Sequence, residues 1–537
     1  MFEQVLNPTG NIVLTVIAAL VPLIVLLFML VIMRMTAWLS TIIAGLITVP
    51  VGVLLWHAPL GGTLKSYLCG GLTGLWVVDW LTFWGMMIFN TLVLTGVFGR
   101  FKNWMVHHAT ADVRIQTIML AWAFIIFLEG LAGFGLPWAI VVPILVGLGI
   151  DDLDAIRVAA LGNYATSFGS LGVPILGLAA VTGFPLMALS ASIGDAVAIL
   201  ALLPPWILLY LVSGWEGMIE AWPLGILGSL AFIAGFWPVT HFLGPYLADP
   251  IGGLACFWVL FLFVKIWRPK TIRGFGGVAL APGKTSPASN LSELNSPKEA
   301  LTVWVPYIVL FAVVVSWTGP WSHLPLISWF KLSVAATSSV TQKLIPSVFN
   351  FAPFGAGTSI LVSWLVIMAI LRPGAQIIKQ VFSKTLKQMW GAILVAFFIF
   401  ALAYIFVFTG MANSLAYGFS KVGLFFLVLA PILGWIGCLI SGSVTGTNAM
   451  FGPVQLVAGR LMNLPVLLLP SINSLGAEAG KSVAPQTASM GVSTSKLVRS
   501  EGQVIRHNMG WTLVMLAYVI VITLVIYFFF PKSWMSL

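Results

Sequence analysis

Apolar runs of about twenty residues or more recur from one end of this chain to the other. They admit few folds. In a lipid bilayer each backbone N–H and C=O must be satisfied within the protein, so runs of this length imply membrane-spanning helices. They fall near residues 11–33, 36–56, 71–98, 155–180, 186–212, 221–242 and 246–267, then near 302–319, 356–371, 389–410, 464–489 and 509–530. That makes about 12 full spans. With 60% hydrophobic and 7% charged residues, the chain fits an all-α polytopic membrane protein and no soluble class.

Two further apolar blocks, 118–148 and 424–457, are interrupted. The first contains Phe127–Pro137, Phe-Leu-Glu-Gly-Leu-Ala-Gly-Phe-Gly-Leu-Pro. Glycine and proline weaken a helix interior, and a carboxylate at membrane depth costs at least about 2.5–3.5 kcal/mol. Non-helical backbone survives there only where protein or a water-filled cavity satisfies it. The block therefore reads as a re-entrant hairpin of two half-helices, with its tip at Gly133, Phe134 and Gly135 and with Glu129 beside it. A lipid-facing helix with packing glycines is the plainer alternative, and it gives the buried acid no reason to be there. The second block carries Gly434–Phe451, where Ser443, Thr445, Thr447 and Asn448 stand where a lipid-facing helix would carry leucines.

If both blocks enter and leave on one side, the charges sort. Eighteen of the 25 lysines and arginines then lie on one side of the membrane and six on the other, with Lys481 inside a span. By the positive-inside rule the richer side is cytoplasmic and both termini are periplasmic. The net charge of +10 is thereby explained by topology, without nucleic acid. The polar stretch 268–300 separates two transmembrane halves, 1–267 and 301–537. Segment 375–388 has helical apolar spacing with lysines opposite, which predicts a helix lying on the membrane surface.

Each hairpin is followed by a span that is itself broken, at Asn163–Pro174 and at Asn473–Gln486. Interrupted segments at matching places in two oppositely oriented halves point to a transport site at the membrane midplane. The residue types suit a small carboxylate. Half-helix N-termini offer free N–H groups and partial positive charge, hydroxyls add donors, and Lys481 is the one full positive charge at depth. Its other reading is an ion pair with Glu478, three residues earlier on the same face. Arg157, beside Asp151, Asp152 and Asp154, reads as a solvated loop pair. Asp195 and Asp79 fall inside spans, the latter among tryptophans that also mark membrane boundaries. With no histidine clearly at mid-membrane, proton coupling would fall to carboxylates. Glu129 leads, since a carboxyl in low-dielectric surroundings readily holds a proton; Glu478 and Asp195 follow.

Enzyme chemistry finds no support. There is no Walker A sequence, no His-Glu-x-x-His, and no histidine near the serine-rich tips to act as base. Cys69, Cys256 and Cys438 have neither disulfide nor metal spacing, so neither metal nor cofactor is expected. The first apolar run lacks a basic n-region, and its removal as a signal peptide is not expected.

Three stretches carry a resemblance: Phe127–Pro137, Gly-Ser-Val-Thr-Gly-Thr-Asn-Ala-Met-Phe at 442–451, and Gly-Lys-Ser-Val-Ala-Pro-Gln at 480–486. With Asn7-Pro-Thr-Gly-Asn11, they resemble the bacterial L-lactate permease family across nearly the whole chain. The resemblance implies proton-coupled transport of lactate and related 2-hydroxy-monocarboxylates such as glycolate across the bacterial inner membrane. It also implies an elevator-like movement, and it extends the substrate site to Gln486. Two positions depart from the family pattern: Val444 stands where members carry Asp, and Glu478 where they lack an acid. Sodium coupling through unwound carbonyls and an uncoupled anion channel are the competing readings. The oligomeric state, a homo-oligomer included, stays open.

Overall fold

A computed structural model describes residues 2–33, 35–107, 112–133, 135–280, 297–497 and 500–537. Phe134, part of the predicted tip, and residues 281–296 of the 268–300 linker lie outside the described residues. Among those described, ten helices are long and apolar enough to cross a bilayer. The chain is a multi-pass helical membrane protein.

An outer frame holds a dense centre. Helices Ile12–Val31 and Ala37–Leu54, and the continuous helical stretch Leu60–Leu94, make up one side of the frame. The long helix Ala375–Thr409 packs against the last two. Glycines set the closeness of that packing. A Cβ at Gly70 would lie 2.4 Å from the Phe400 carbonyl oxygen, and one at Gly74 2.5 Å from that of Ala396, so backbone meets backbone as small residues allow in membranes. Asp79 closes a π-helical turn, Gly74–Asp79, inside this stretch and is buried; it does not mark a helix end.

Two expectations change here. Segment 375–388 is not a separate surface helix but the start of Ala375–Thr409. Nothing between the two parts can break a helix except Gly391, and an isolated glycine only weakens one. The all-α reading also gains a small sheet: β1 (Phe2–Glu3), β2 (Phe330–Thr337) and β3 (Leu344–Phe351), in the order β1-β2-β3. β2 and β3 pair antiparallel, from Phe330 opposite Phe351 to Thr337 opposite Leu344. The sheet is held to the frame by side chains, among them Ser66, which donates to Ser347 at 3.0 Å. The N-terminal Asn7–Asn11 stretch is a helix cap: Asn11 accepts from the Val13 amide, and Asn7 from the Thr15 hydroxyl.

Both parts of the chain place a helix–turn–helix and then a broken helix in the same order. The first set is Val113–Leu131 and Leu136–Gly147, followed by Asp152–Gly162 and Val173–Thr182. The second is Phe426–Ser441 and Val444–Leu461, followed by Leu468–Lys481 and Pro485–Val492. Val113–Leu131 is apolar on every side between Thr117 and Glu129, and its apolar window is wholly buried, as befits a helix enclosed by protein. Gly253 admits it closely, since a Cβ there would fall 2.7 Å from the Ala123 carbonyl oxygen. Its start is pinned by Arg114, fully buried, which pairs with Asp112 at 2.6 Å and Glu220 at 3.1 Å. Glu220 in turn holds Arg273, in the described part of the linker, at 2.9 Å.

Candidate functional site

Each tip turns on glycine in the left-handed region, where a side chain would be strained. At the first tip φ is 60° at Gly133 and 75° at Gly135; at the second it is 69° at Gly442. Ser443 then caps Val444–Leu461, its hydroxyl accepting from the Gly446 amide at 3.1 Å, the role its residue type favours.

The two tips converge on one short helix. A Cβ at Gly135 would lie 3.0 Å from Met490 Cγ, and one at Gly442 2.6 Å from Gln486 Oε1. Met490 and Gln486 both belong to Pro485–Val492, which follows the second break. Gly133 faces the other break, 2.9 Å from Ser170 Cβ by the same measure. Gln486 is exposed, Ser443 and Thr445 are half-buried, and Thr447 and Asn448 are buried. An accessible polar surface therefore lines the second tip.

The breaks also meet. Tyr164 donates to the Ala479 carbonyl at 3.1 Å and lies 2.8 Å from the Ser482 hydroxyl. Asn448 accepts from Asn473 and Ser474, each at 3.0 Å, and donates to the Pro174 carbonyl at 3.2 Å. One buried amide thus ties the second tip to both broken helices, and its hydrogen-bonding capacity is largely spent on protein.

Behind this surface lies a buried ionic cluster. Lys481 is paired with Glu129, whose other oxygen accepts from the Asn163 amide group at 3.3 Å. The alternative partner, Glu478, does not hold Lys481. Its carboxylate accepts from the Thr166 backbone N–H and the Ser167 hydroxyl. The reason is local: residues 163–172 are unwound, and their bare donors claim the nearest acceptor. Ala165 and Leu171 sit there at φ 68° and 50°, non-glycine residues in a conformation that costs about 1–3 kcal/mol each. Glu478 braces that stretch.

A third carboxyl completes the cluster. Asp249, in the first turn of Ala248–Ile266, is fully buried, and neither of its oxygens has a hydrogen-bond partner. Sequence reasoning passed over it, because Asp-Pro at the head of an apolar run resembles an ordinary span end. The glycines that follow it, Gly252 and Gly253, were the available signal of a close, buried approach. Asp195 is not brought to this cluster: it accepts from Trp237 at 2.8 Å and lies 3.3 Å from His241. Arg157 lies 3.4 Å from Asp154, both half-buried and one turn apart on the helix Asp152–Gly162, so the expected loop pair is a helical one. No group of three His, Cys, Asp or Glu among the described residues is placed to hold a metal ion.

Comparison with known proteins gives the family. The L-lactate permease family model matches residues 15–530. The glycolate permease GlcA of Escherichia coli K12 is 28% identical, with 97% of each chain covered. The L-lactate permease of Bacillus subtilis strain 168 is 29% identical, with 98% of each covered. That of Escherichia coli K12 is 28% identical over 97% of this chain and 98% of its own.

Proposed function

This chain belongs to the L-lactate permease family, and we propose that it is a secondary transporter of lactate, glycolate and related 2-hydroxy-monocarboxylates, coupled to protons, in a bacterial inner membrane. The observation that carries the reading is the convergence of two glycine tips on Pro485–Val492, with the buried Lys481 at the end of the helix before it. A monocarboxylate needs one positive charge and a few neutral donors, held loosely enough to release. Ser443, Thr445 and Gln486 supply the accessible polar groups, the tip backbones at Gly133–Gly135 and Gly442 the close approach, and Lys481 the charge. Thr447 and Asn448 support that wall from behind.

In this reading the two helix–turn–helix units are re-entrant hairpins from opposite sides, both termini are periplasmic, and the two halves are inverted repeats. The tips and broken helices move together as an elevator-like unit against the frame. The buried acids beside Lys481, Glu129 and Glu478, are groups that can carry a proton, and they support protons over sodium as the coupling ion. Uptake of labelled lactate and glycolate into proteoliposomes, under separately imposed pH and sodium gradients, tests this. Accumulation driven by an inward proton gradient alone is expected. Accumulation only with sodium would give the coupling ion as sodium, and flux that never exceeds equilibration would make the protein a channel.

A further inference from the structure

We infer that Asp249 is the residue that binds the coupled proton. This rests on the proton-coupled reading above and gives it an atom. Asp249 is fully buried at the head of Ala248–Ile266, against the helix that carries Glu129: a Cβ at Gly130 would fall 2.8 Å from Asp249 Cβ. Among the described residues, the charged groups that act on it most are Glu478, Glu129 and Lys481. Three carboxyls therefore share one ammonium. Two of them are provided for: Glu129 has Lys481 and Asn163, and Glu478 has the Thr166 amide and the Ser167 hydroxyl. Asp249 has the Gly169 backbone N–H near it but no well-formed hydrogen bond at either oxygen. The nearby Gly169 amide donates instead to the Thr166 carbonyl at 2.9 Å. A charge with no partner, buried beside two others of the same sign, is the least tolerable of the three. Of the three, Asp249 is the one whose charge a bound proton relieves when a further negative charge enters the cluster.

Coupling follows from charge substitution. When a substrate carboxylate enters beside Lys481 it brings one negative charge, and Asp249 gives one up by binding a proton at Oδ. The charge of the cluster is the same with Asp249 ionised and no substrate as with Asp249 protonated and substrate bound. One proton accompanies one monocarboxylate. Glu129, already committed to Lys481, is then a positioning residue: it holds the ammonium where the substrate arrives.

The test compares wild type with Asp249→Asn in proteoliposomes. In the variant, exchange of labelled lactate without a gradient is expected to persist, while uptake driven by an inward proton gradient falls at least about tenfold. The pH dependence of exchange should flatten. Wild-type uptake that ignores the proton gradient would overturn the proton-coupled reading and this assignment with it. Normal driven uptake by Asp249→Asn beside a responsive wild type would overturn the assignment alone. If the variant transports nothing, proton uptake on adding lactate to purified protein in weakly buffered solution decides. Binding without proton uptake upholds the assignment; binding with wild-type proton uptake, or no binding at all, overturns it.

Discussion

Glu129 and Lys481 are 352 residues apart in the chain and joined in a buried ion pair, with the side chains 4% and 10% exposed. One comes from the arm of the first tip and the other from the last residue before the second break. The pair is thus a strap between the two units that carry the candidate site, and in the proposed reading a substrate carboxylate competes with Glu129 for the same ammonium.

Breaking the strap from one end leaves a buried charge alone, which typically costs about 3–5 kcal/mol. Lys481→Met and Glu129→Gln should each lower the melting temperature of the purified protein, Lys481→Met more, since it leaves Glu129, Glu478 and Asp249 with no cation, whereas Lys481 in Glu129→Gln keeps the other two acids in reach. The double variant should recover most of the loss in stability and none in transport. Lys496→Met, at an exposed loop position, should alter neither. Additive losses in the double variant would show that the two residues do not act as a pair.

Glu478 should behave as a brace. Glu478→Ala removes the acceptor for two buried donors and releases the strained 163–172 stretch, whereas Ser167→Ala removes only one hydrogen bond, worth about 1–3 kcal/mol when the acceptor is charged. Hydrogen exchange over residues 163–172 should therefore rise sharply in Glu478→Ala and modestly in Ser167→Ala. Unchanged exchange in Glu478→Ala would mean that other contacts hold the break.

The tips, the breaks and the candidate cation were legible in the sequence because each is written in local composition: glycine, proline and small hydroxyl residues where leucine belongs. Partnership was not. Glu478 stands one helical turn from Lys481, yet the lysine bonds an acid brought in by distant packing, and no local pattern states that. The surface-helix reading of 375–388 failed for a related reason. Amphipathic spacing is the same whether a helix lies on a membrane or runs on into it, and the absence of a breaker before Trp390 was the better guide. The β2–β3 pair was within reach, since Phe330–Leu332–Val334 alternates apolar and small or polar residues with period two, but apolar length dominates in a chain of this composition. Asp249 was hidden by its neighbour, Pro250.

Gly442 should tolerate nothing larger. Its φ of 69° and its contact with Gln486 both oppose a side chain, the first by about 1–2 kcal/mol for an L-residue. Gly442→Ala should reduce lactate uptake severely. Adding Gln486→Ala removes the clash without relieving the backbone, so the double variant should recover folding only in part and should remain weak in substrate affinity. Full recovery of uptake would remove Gln486 from the site.

Thr445 and Asn448 separate binding from architecture. Thr445 is half-buried, and its methyl lies 3.2 Å from where a Cβ at Gly177 would be, so its hydroxyl can be replaced without emptying a network. Asn448 is fully buried, and its side chain serves Asn473, Ser474 and Pro174 together. Thr445→Val is nearly isosteric and should weaken lactate affinity several-fold, about 1 kcal/mol for one neutral hydrogen bond, with a wild-type melting temperature. Asn448→Leu strands two donors and a carbonyl, at about 1–3 kcal/mol for each group left unsatisfied, so it should lose stability and uptake together. Melting curves and uptake measured on the same preparations decide between these roles. A Thr445→Val protein with unchanged affinity would take the threonine out of the site, and an Asn448→Leu protein of normal stability would show that its network is not structural.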